Sequence, residues 1–189
     1  MTGFPSPFGG TDDESDGVFD AYDEFVPAHL PEPGPFLDGH EVLEGDAHLA
    51  FHRLTRDLFE ERGVYDMTFG YNLARLDLDG RHPDAGYRYA EESSTVLRAE
   101  FTPTTPFCPQ SNTLTKGSFR AWNGLVDRHE YDLVRVRVHP MHHESEATNE
   151  QLAWLAERFR ETGSVTHVPP DVDGSPERGG RASRGDAPF

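Results

Sequence analysis

The sequence predicts an α+β fold: a small mixed sheet of three strands with helices packed on one face, in the order helix, strand, strand, helix, strand, helix. Three observations carry this. Alternating apolar runs occur at Thr95–Phe101 and Tyr131–His139. Apolar stripes at helical spacing occur near both ends of the central region. Strands and helices interleave, but too few of either occur for a large parallel sheet.

The elements follow in order. Asp46 is placed to cap a helix running to Arg62, with Gly63 as its stop. Phe51, Leu54 and Leu58 share one face of it. Tyr65 to Leu78 reads as a strand, with Met67, Phe69, Tyr71 and Leu73 alternating and a bulge near Ala74 shifting the phase. Asp79-Gly80 turns the chain and Arg81–Gly86 completes a polar loop. Thr95, Leu97, Ala99 and Phe101 alternate as the second strand. Thr113–Arg128 reads as a helix with Leu114, Trp122, Leu125 and Val126 as apolar contacts. Tyr131–His139 is the third strand, with Val134, Val136 and Val138 inward and Arg135 and Arg137 outward. Thr148 and Gln151 match a capping box. The last helix carries Leu152, Leu155, Ala156 and Phe159 on one stripe and stops at Gly163.

The domain expected from this reading spans 46–166. Residues 1–45, rich in Gly, Pro, Asp and Glu, read as a disordered acidic arm, and 167–189 as a disordered tail. In the arm, Phe19, Tyr22, Phe25 and Val26 could form a short docking segment, weighed against scattered hydrophobes in a solvated tail. Charge narrows the function classes. The 189 residues carry 34 Asp+Glu against 17 Lys+Arg, a formal net charge of −17, and Lys116 is the sole lysine. Such a surface suits concentrated salt, where screening weakens self-repulsion, so a halophile cytoplasm is expected. Nucleic acid is not an expected ligand, because phosphate binding needs a basic footprint. No apolar run approaches the roughly 20 residues of a membrane span, and the N-terminus shows neither a basic nor an apolar signal region.

The chemistry centres on Cys108, the only cysteine. It ends the run Phe101-Thr102-Pro103-Thr104-Thr105-Pro106-Phe107-Cys108, where prolines stiffen the turn. A lone thiol makes no intrachain disulfide, which suits a reducing compartment. It serves as a metal or cluster ligand, as a nucleophile, or as a small buried hydrophobe. Pro109 as the first residue of a helical turn would favour the thiolate. Thr102, Thr104 and Thr105 offer hydroxyls to shape the loop. His139, His142, His143 and Glu146 lie between the last strand and last helix. Neutral imidazole ligates borderline metals, so Cys108 with His143 is a candidate metal pair if the loops converge. The same two residues are the nucleophile and base of a hydrolase reading. Asn149 and Gln151 could hold the loop facing Cys108. No catalytic constellation beyond these is visible.

Two blocks together resemble the cytosolic iron–sulfur assembly targeting family (the mitotic-spindle-associated MMXD subunit type, with SufT-like and PaaD-like bacterial relatives). The first is Leu97-Arg98-Ala99-Glu100-Phe101-Thr102-Pro103-Thr104-Thr105-Pro106-Phe107-Cys108. The second is Val136-Arg137-Val138-His139-Pro140-Met141-His142-His143-Glu144-Ser145-Glu146 followed by Asn149-Glu150-Gln151-Leu152. Gly63-Val64-Tyr65-Asp66 stands where the family has Asp-Pro-Glu, and Pro109-Gln110-Ser111-Asn112-Thr113 replaces its apolar run after the cysteine. The resemblance implies an iron–sulfur carrier assembly domain that matures client apoproteins. Cys108 is then the functional thiol, and Thr102, Thr104, His143, Glu146, Asn149 and Gln151 form the supporting loops. Iron or a transient iron–sulfur cluster is the implied cargo. Client apoproteins, other assembly factors and a second copy of the chain are the implied partners. A protein-interaction adaptor with a structural cysteine, and a Cys/His-dependent enzyme, stand as the alternatives.

Overall fold

The computed structural model describes residues 27–171. The residues of the expected acidic arm up to 26, including the candidate docking segment Phe19–Val26, and the expected tail from 172 onward, lie outside the described residues. The fold is α+β. Strand β1 (Glu41–Val42) leads into α1 (Gly45–Arg62), then a short hairpin of β2 (Tyr65–Asp66) and β3 (Tyr71–Asn72). Strands β4 (Gly86–Ser93) and β5 (Val96–Thr102) follow, then α2 (Ser111–Gly124), β6 (Leu133–Val138) and α3 (Ser145–Thr162). The main sheet has the order β1-β4-β5-β6. β4 runs antiparallel to both β1 and β5, whereas β5 and β6 are parallel, with α2 as the crossover.

Two expectations about the sheet are corrected. The stretch 65–78 is not one strand of the main sheet. It forms the separate β2–β3 hairpin and then a 3-10 helix, Leu73–Leu78. Asn72 starts that helix by accepting from the Ala74 N–H at 3.0 Å. The strand that does pair with β5 is β4, so the main sheet has four strands instead of three. Its register sets Tyr87 opposite Phe101 and Tyr89 opposite Ala99.

The core lies between the sheet and the three helices. Phe51, Leu58 and Phe59 of α1, Phe119 and Trp122 of α2, and Leu152, Leu155 and Phe159 of α3 are buried with Tyr87, Tyr89, Leu97, Phe101, Val134, Val136 and Val138. Trp122 sits at the centre, its ring 5.0 Å from those of Phe59 and Tyr87. Its indole N–H donates to Thr55 Oγ1 at 3.0 Å, so the large ring is buried without an orphaned donor. Gly63 and Gly163 end α1 and α3 in the left-handed conformation, as their positions predict. The starts differ from expectation. Glu44 precedes α1, with Asp46 inside its first turn, and α3 opens at Ser145, so Thr148 is a buried residue of the helix and forms no capping box.

The folded region also begins earlier than residue 46. Residues 30–42 cross the outer face of the sheet as a strap, with Leu30 and Leu37 buried. The Glu100 carboxylate accepts from the N–H groups of Gly34 and Phe36, and the Pro31 carbonyl accepts from Arg88 at 2.9 Å. At the other end, residues 167–169 stay on the helices: Arg120 donates to the His167 carbonyl and Pro169 is buried.

β6 is an edge strand, and two asparagines cover that edge. Asn123 of α2 accepts from the Val134 N–H and donates to the Val134 carbonyl, both at 2.9 Å. Asn149 of α3 does the same at Val138, at 2.7 and 2.9 Å. Each amide replaces the missing strand at one residue. Asn149 thus pins α3 to the end of β6, where the loop from His139 begins.

A buried polar cluster joins α1 to the Leu73–Leu78 helix. His48 Nε2 lies 3.3 Å from Asp77 Oδ2, both side chains at most 1 % exposed. Asp77 Oδ1 accepts from the Tyr87 N–H at 2.7 Å. His52 Nε2 donates to the Ala74 carbonyl at 2.6 Å, and burial holds the His52 imidazole below its usual pKa despite the nearby Asp77. Among the described residues no helix is long and apolar enough to cross a membrane.

Replacing Asn123 by alanine leaves the buried Val134 N–H and carbonyl without partners. Chemical denaturation should show a loss of about 2–4 kcal/mol, and a smaller loss for Asn149→Ala, whose hydrogen bonds to the strand are only part-buried. Stability should also fall with acid through His52. Its folded pKa lies below the unfolded value of about 6.5, so the unfolded chain binds the proton first. The contribution is complete above that value and is lost as pH falls from there toward the folded pKa. Between pH 7 and 5, His52→Gln should flatten the stability–pH slope relative to wild type, by up to about 1.4 kcal/mol per pH unit.

Candidate functional site around Cys108

Parallel pairing of β5 and β6 brings their C-terminal loops to one edge of the sheet, and this assembles the site. β5 delivers Thr102 and the loop to Cys108. β6 delivers Val138 and the loop from His139 to Glu144. The two loops are bonded directly. His142, 2 % exposed, donates from Nε2 to the Cys108 carbonyl at 2.9 Å while its Nδ1 accepts from the Glu144 N–H. His143 donates to the Pro106 carbonyl twice, from its backbone N–H at 3.0 Å and from Nδ1 at 2.8 Å. Its ring lies 5.2 Å from that of Phe107. The expected convergence is present, but the imidazoles hold the backbone of the thiol loop. Among the described residues no hydrogen bond joins the Cys108 thiol to an imidazole, and the Nδ1 of His143 is bonded to the Pro106 carbonyl.

Cys108 is partly exposed and lines a cleft of about 300 Å³. The opposite wall is the β2–β3 turn, with Asp66, Thr68 and Phe69, together with His82; Thr104 lies on the thiol's own loop. Asp66 Oδ1 accepts from the N–H groups of Thr68 and Phe69 at 2.7 and 3.1 Å, a turn closed by its own carboxylate. Gln110 fastens that turn to the thiol loop. Its amide donates to Thr68 Oγ1 at 2.7 Å, and its carbonyl oxygen accepts from the Met67 N–H at 3.0 Å. The Phe69 and His82 rings lie 4.7 Å apart.

The other expected site residues are placed as follows. Thr102 is buried at the end of β5. Thr104 lines the cleft. Glu146 is exposed in the first turn of α3, where its charge complements the helix dipole. Gln151 accepts from Asn112 at 3.0 Å and so ties α3 to α2. Neither Asn149 nor Gln151 lines the cleft. Pro109 is not the first residue of α2: Gln110 precedes the helix and Ser111 opens it. Among the described residues no group of three or more His, Cys, Asp or Glu side chains is arranged to hold a metal ion.

Sequence reasoning passed over the far wall of the cleft. In the sequence Asp66 reads as a strand residue and His82 as part of a polar loop, and neither carries a spacing signal that links it to a cysteine so many residues downstream. Of the large hydrophobic side chains exposed among the described residues, Met67 and Phe107, 81 % and 71 % exposed, belong to the two loops that wall the cleft.

The DUF7998 family, described as a domain of unknown function, matches residues 17–166. The chain belongs to that family. No curated protein and no solved structure matches it.

His142→Ala removes the donor that holds the Cys108 carbonyl. The thiol loop should loosen, with alkylation of Cys108 under native conditions accelerating several-fold and stability dropping by about 1–2 kcal/mol. Alkylation at an unchanged rate would show that the loop is held without this bond.

Proposed function

We propose that this member of the DUF7998 family is an iron–sulfur assembly or targeting factor. In this reading Cys108 takes up iron or a cluster transiently and passes it to client apoproteins. The observation that carries the reading is the setting of the thiol: an open cleft between two loops that also carry the exposed Met67 and Phe107. Exposed apolar side chains beside a reactive group suit a surface that another protein covers.

The chemistry agrees with a carrier. Iron–sulfur clusters are commonly held by four cysteine ligands. One thiolate supplies a fraction of that set, so the remaining ligands come from a client, a second copy or a small thiol. Incomplete ligation keeps the cargo exchangeable, which transfer requires. His142 and His143 contribute by fixing the loop that carries the sulfur, and Thr104 shapes the cleft wall. Rigid backbone around one mobile ligand bond separates holding from release. A lone thiol also fits a reducing cytoplasm.

The same exposed Met67 and Phe107 favour one other reading, an adaptor that binds clients without using the thiol. One experiment separates the two. The full chain is purified without air, reconstituted with ferric iron, a thiol reductant and sulfide, and offered to an apo-ferredoxin. The carrier reading expects charge-transfer absorption, bound iron and sulfide, and transfer, all reduced to baseline in Cys108→Ser. Cluster absorption and transfer retained by Cys108→Ser would overturn it.

A further inference from the structure

We propose that the outer face of the sheet carries a site for a small multivalent oxyanion bearing carboxylate or phosphate groups, formed by Arg98, Arg135 and Arg137. The site is independent of Cys108.

Alternation sends these three arginines to the face opposite the helices. Parallel register sets Arg98 beside Arg135, and Arg137 follows two residues on along β6. Like charges directly across a ladder repel. One carboxylate serves two of the three. Glu92 accepts from Arg98 Nε at 2.7 Å and from Arg135 at 3.2 Å. Glu100, opposite Arg137 in register, is engaged elsewhere, accepting from the Gly34 and Phe36 N–H groups. Arg137 therefore has no carboxylate within ion-pair distance among the described residues. Its one hydrogen bond there is to the Val136 carbonyl at 2.7 Å. The Phe36 ring lies under both Arg98 and Arg137, with guanidinium carbons 4.8 and 5.0 Å from its centroid.

A guanidinium offers five N–H donors in a fixed fork. The cluster is short of acceptors: Arg135 Nε is buried without one. Arg98 and Arg135 side chains remain 21 % exposed, so a solute can reach the cluster. Burial lowers the Arg137 pKa to about 10, with Arg135 and Arg98 adding to the shift and Glu157 and Glu92, beyond ion-pair distance, opposing it. A bound oxyanion would give Arg137 a counter-charge in direct contact, and fork-to-oxyanion bonding is the strong form of such contacts. In a chain of net charge −17, three neighbouring arginines of which Glu92 pairs two are a local concentration of positive charge. That contrast focuses an anion onto this face against the overall repulsion.

The test is calorimetry on the full chain at fixed ionic strength set with potassium chloride, titrating citrate in one arm and inorganic phosphate in the other. The proposal expects saturable one-site binding in at least one arm, and the arm that binds names the group recognised. Arg137→Gln should weaken it roughly ten-fold or more. Arg158→Gln, on the exposed face of α3 and paired with Glu161, should leave it unchanged. Should Arg137→Gln fail to fold, Arg135→Gln carries the same expected loss. Absence of saturable binding in both arms, or equal affinity in the cluster variant, overturns the proposal.

Discussion

Parallel pairing of β5 with β6 is the constraint on which the rest of this structure depends. Two parallel neighbours cannot be joined by a tight turn, so the chain must cross back over the sheet, and α2 is that crossover. The crossover places Trp122 on the core face and forces the loops after both strands to leave the sheet at the same edge. The thiol loop and the histidine loop are thus neighbours before any bond between them forms. His142 and His143 then lock an arrangement that topology has already made local. A hairpin in place of the crossover would send the two loops to opposite ends.

Edge and face each raise a further problem, solved with polar side chains. The outer edge of β6 would leave unpaired N–H and carbonyl groups beneath two helices, where water is excluded. Asn123 and Asn149 supply both a donor and an acceptor at alternate outward-pointing residues. The outer face is charged, yet residues 30–42 cover much of it. Glu100 bridges that strap to the sheet, and burial raises its pKa even though the Gly34 and Phe36 N–H groups favour the carboxylate. A Cβ on Gly34 would overlap the Glu100 carboxylate and the His139 ring, so the close approach requires glycine there.

The contrast between what the sequence reveals and what it hides follows from where the information lies. α1 and α3 are legible because their stripes and terminal glycines are local. β6 is legible because valine alternates with arginine. β4 goes unassigned in the sequence because Arg88, Glu91 and Glu92 break up its apolar run, whereas Arg88 and Glu92 find partners on the strap and on β5 and β6. The false strand at 73–78 has the opposite cause. Leu73, Leu76 and Leu78 satisfy an alternating pattern with one phase shift, but Asp77 and Asp79 are also buried. Their partners, His48 and the Tyr87 N–H for Asp77, and Tyr71 and Arg81 for Asp79, are set mostly by tertiary packing. The thiol was legible in its stiffened loop. The wall facing it was not, because Asp66 and His82 reach the cleft only once the β2–β3 hairpin has folded against Gln110.

That wall bears on the proposed role of the sulfur. Thiol loops that act alone need only exposure, and residues 66–69 could then face solvent anywhere. Here Gln110, immediately before α2, spends both halves of its amide on holding the hairpin turn against the thiol loop. The cleft is therefore bounded on the far side by an imidazole and a carboxylate, and the loops that wall it carry the exposed Met67 and Phe107. A purely structural cysteine requires none of this, since packing alone would bury it. A carrier requires each part: a sulfur within reach of solvent, a wall that limits how cargo approaches, and exposed apolar side chains that a receiving protein can cover while ligands are exchanged.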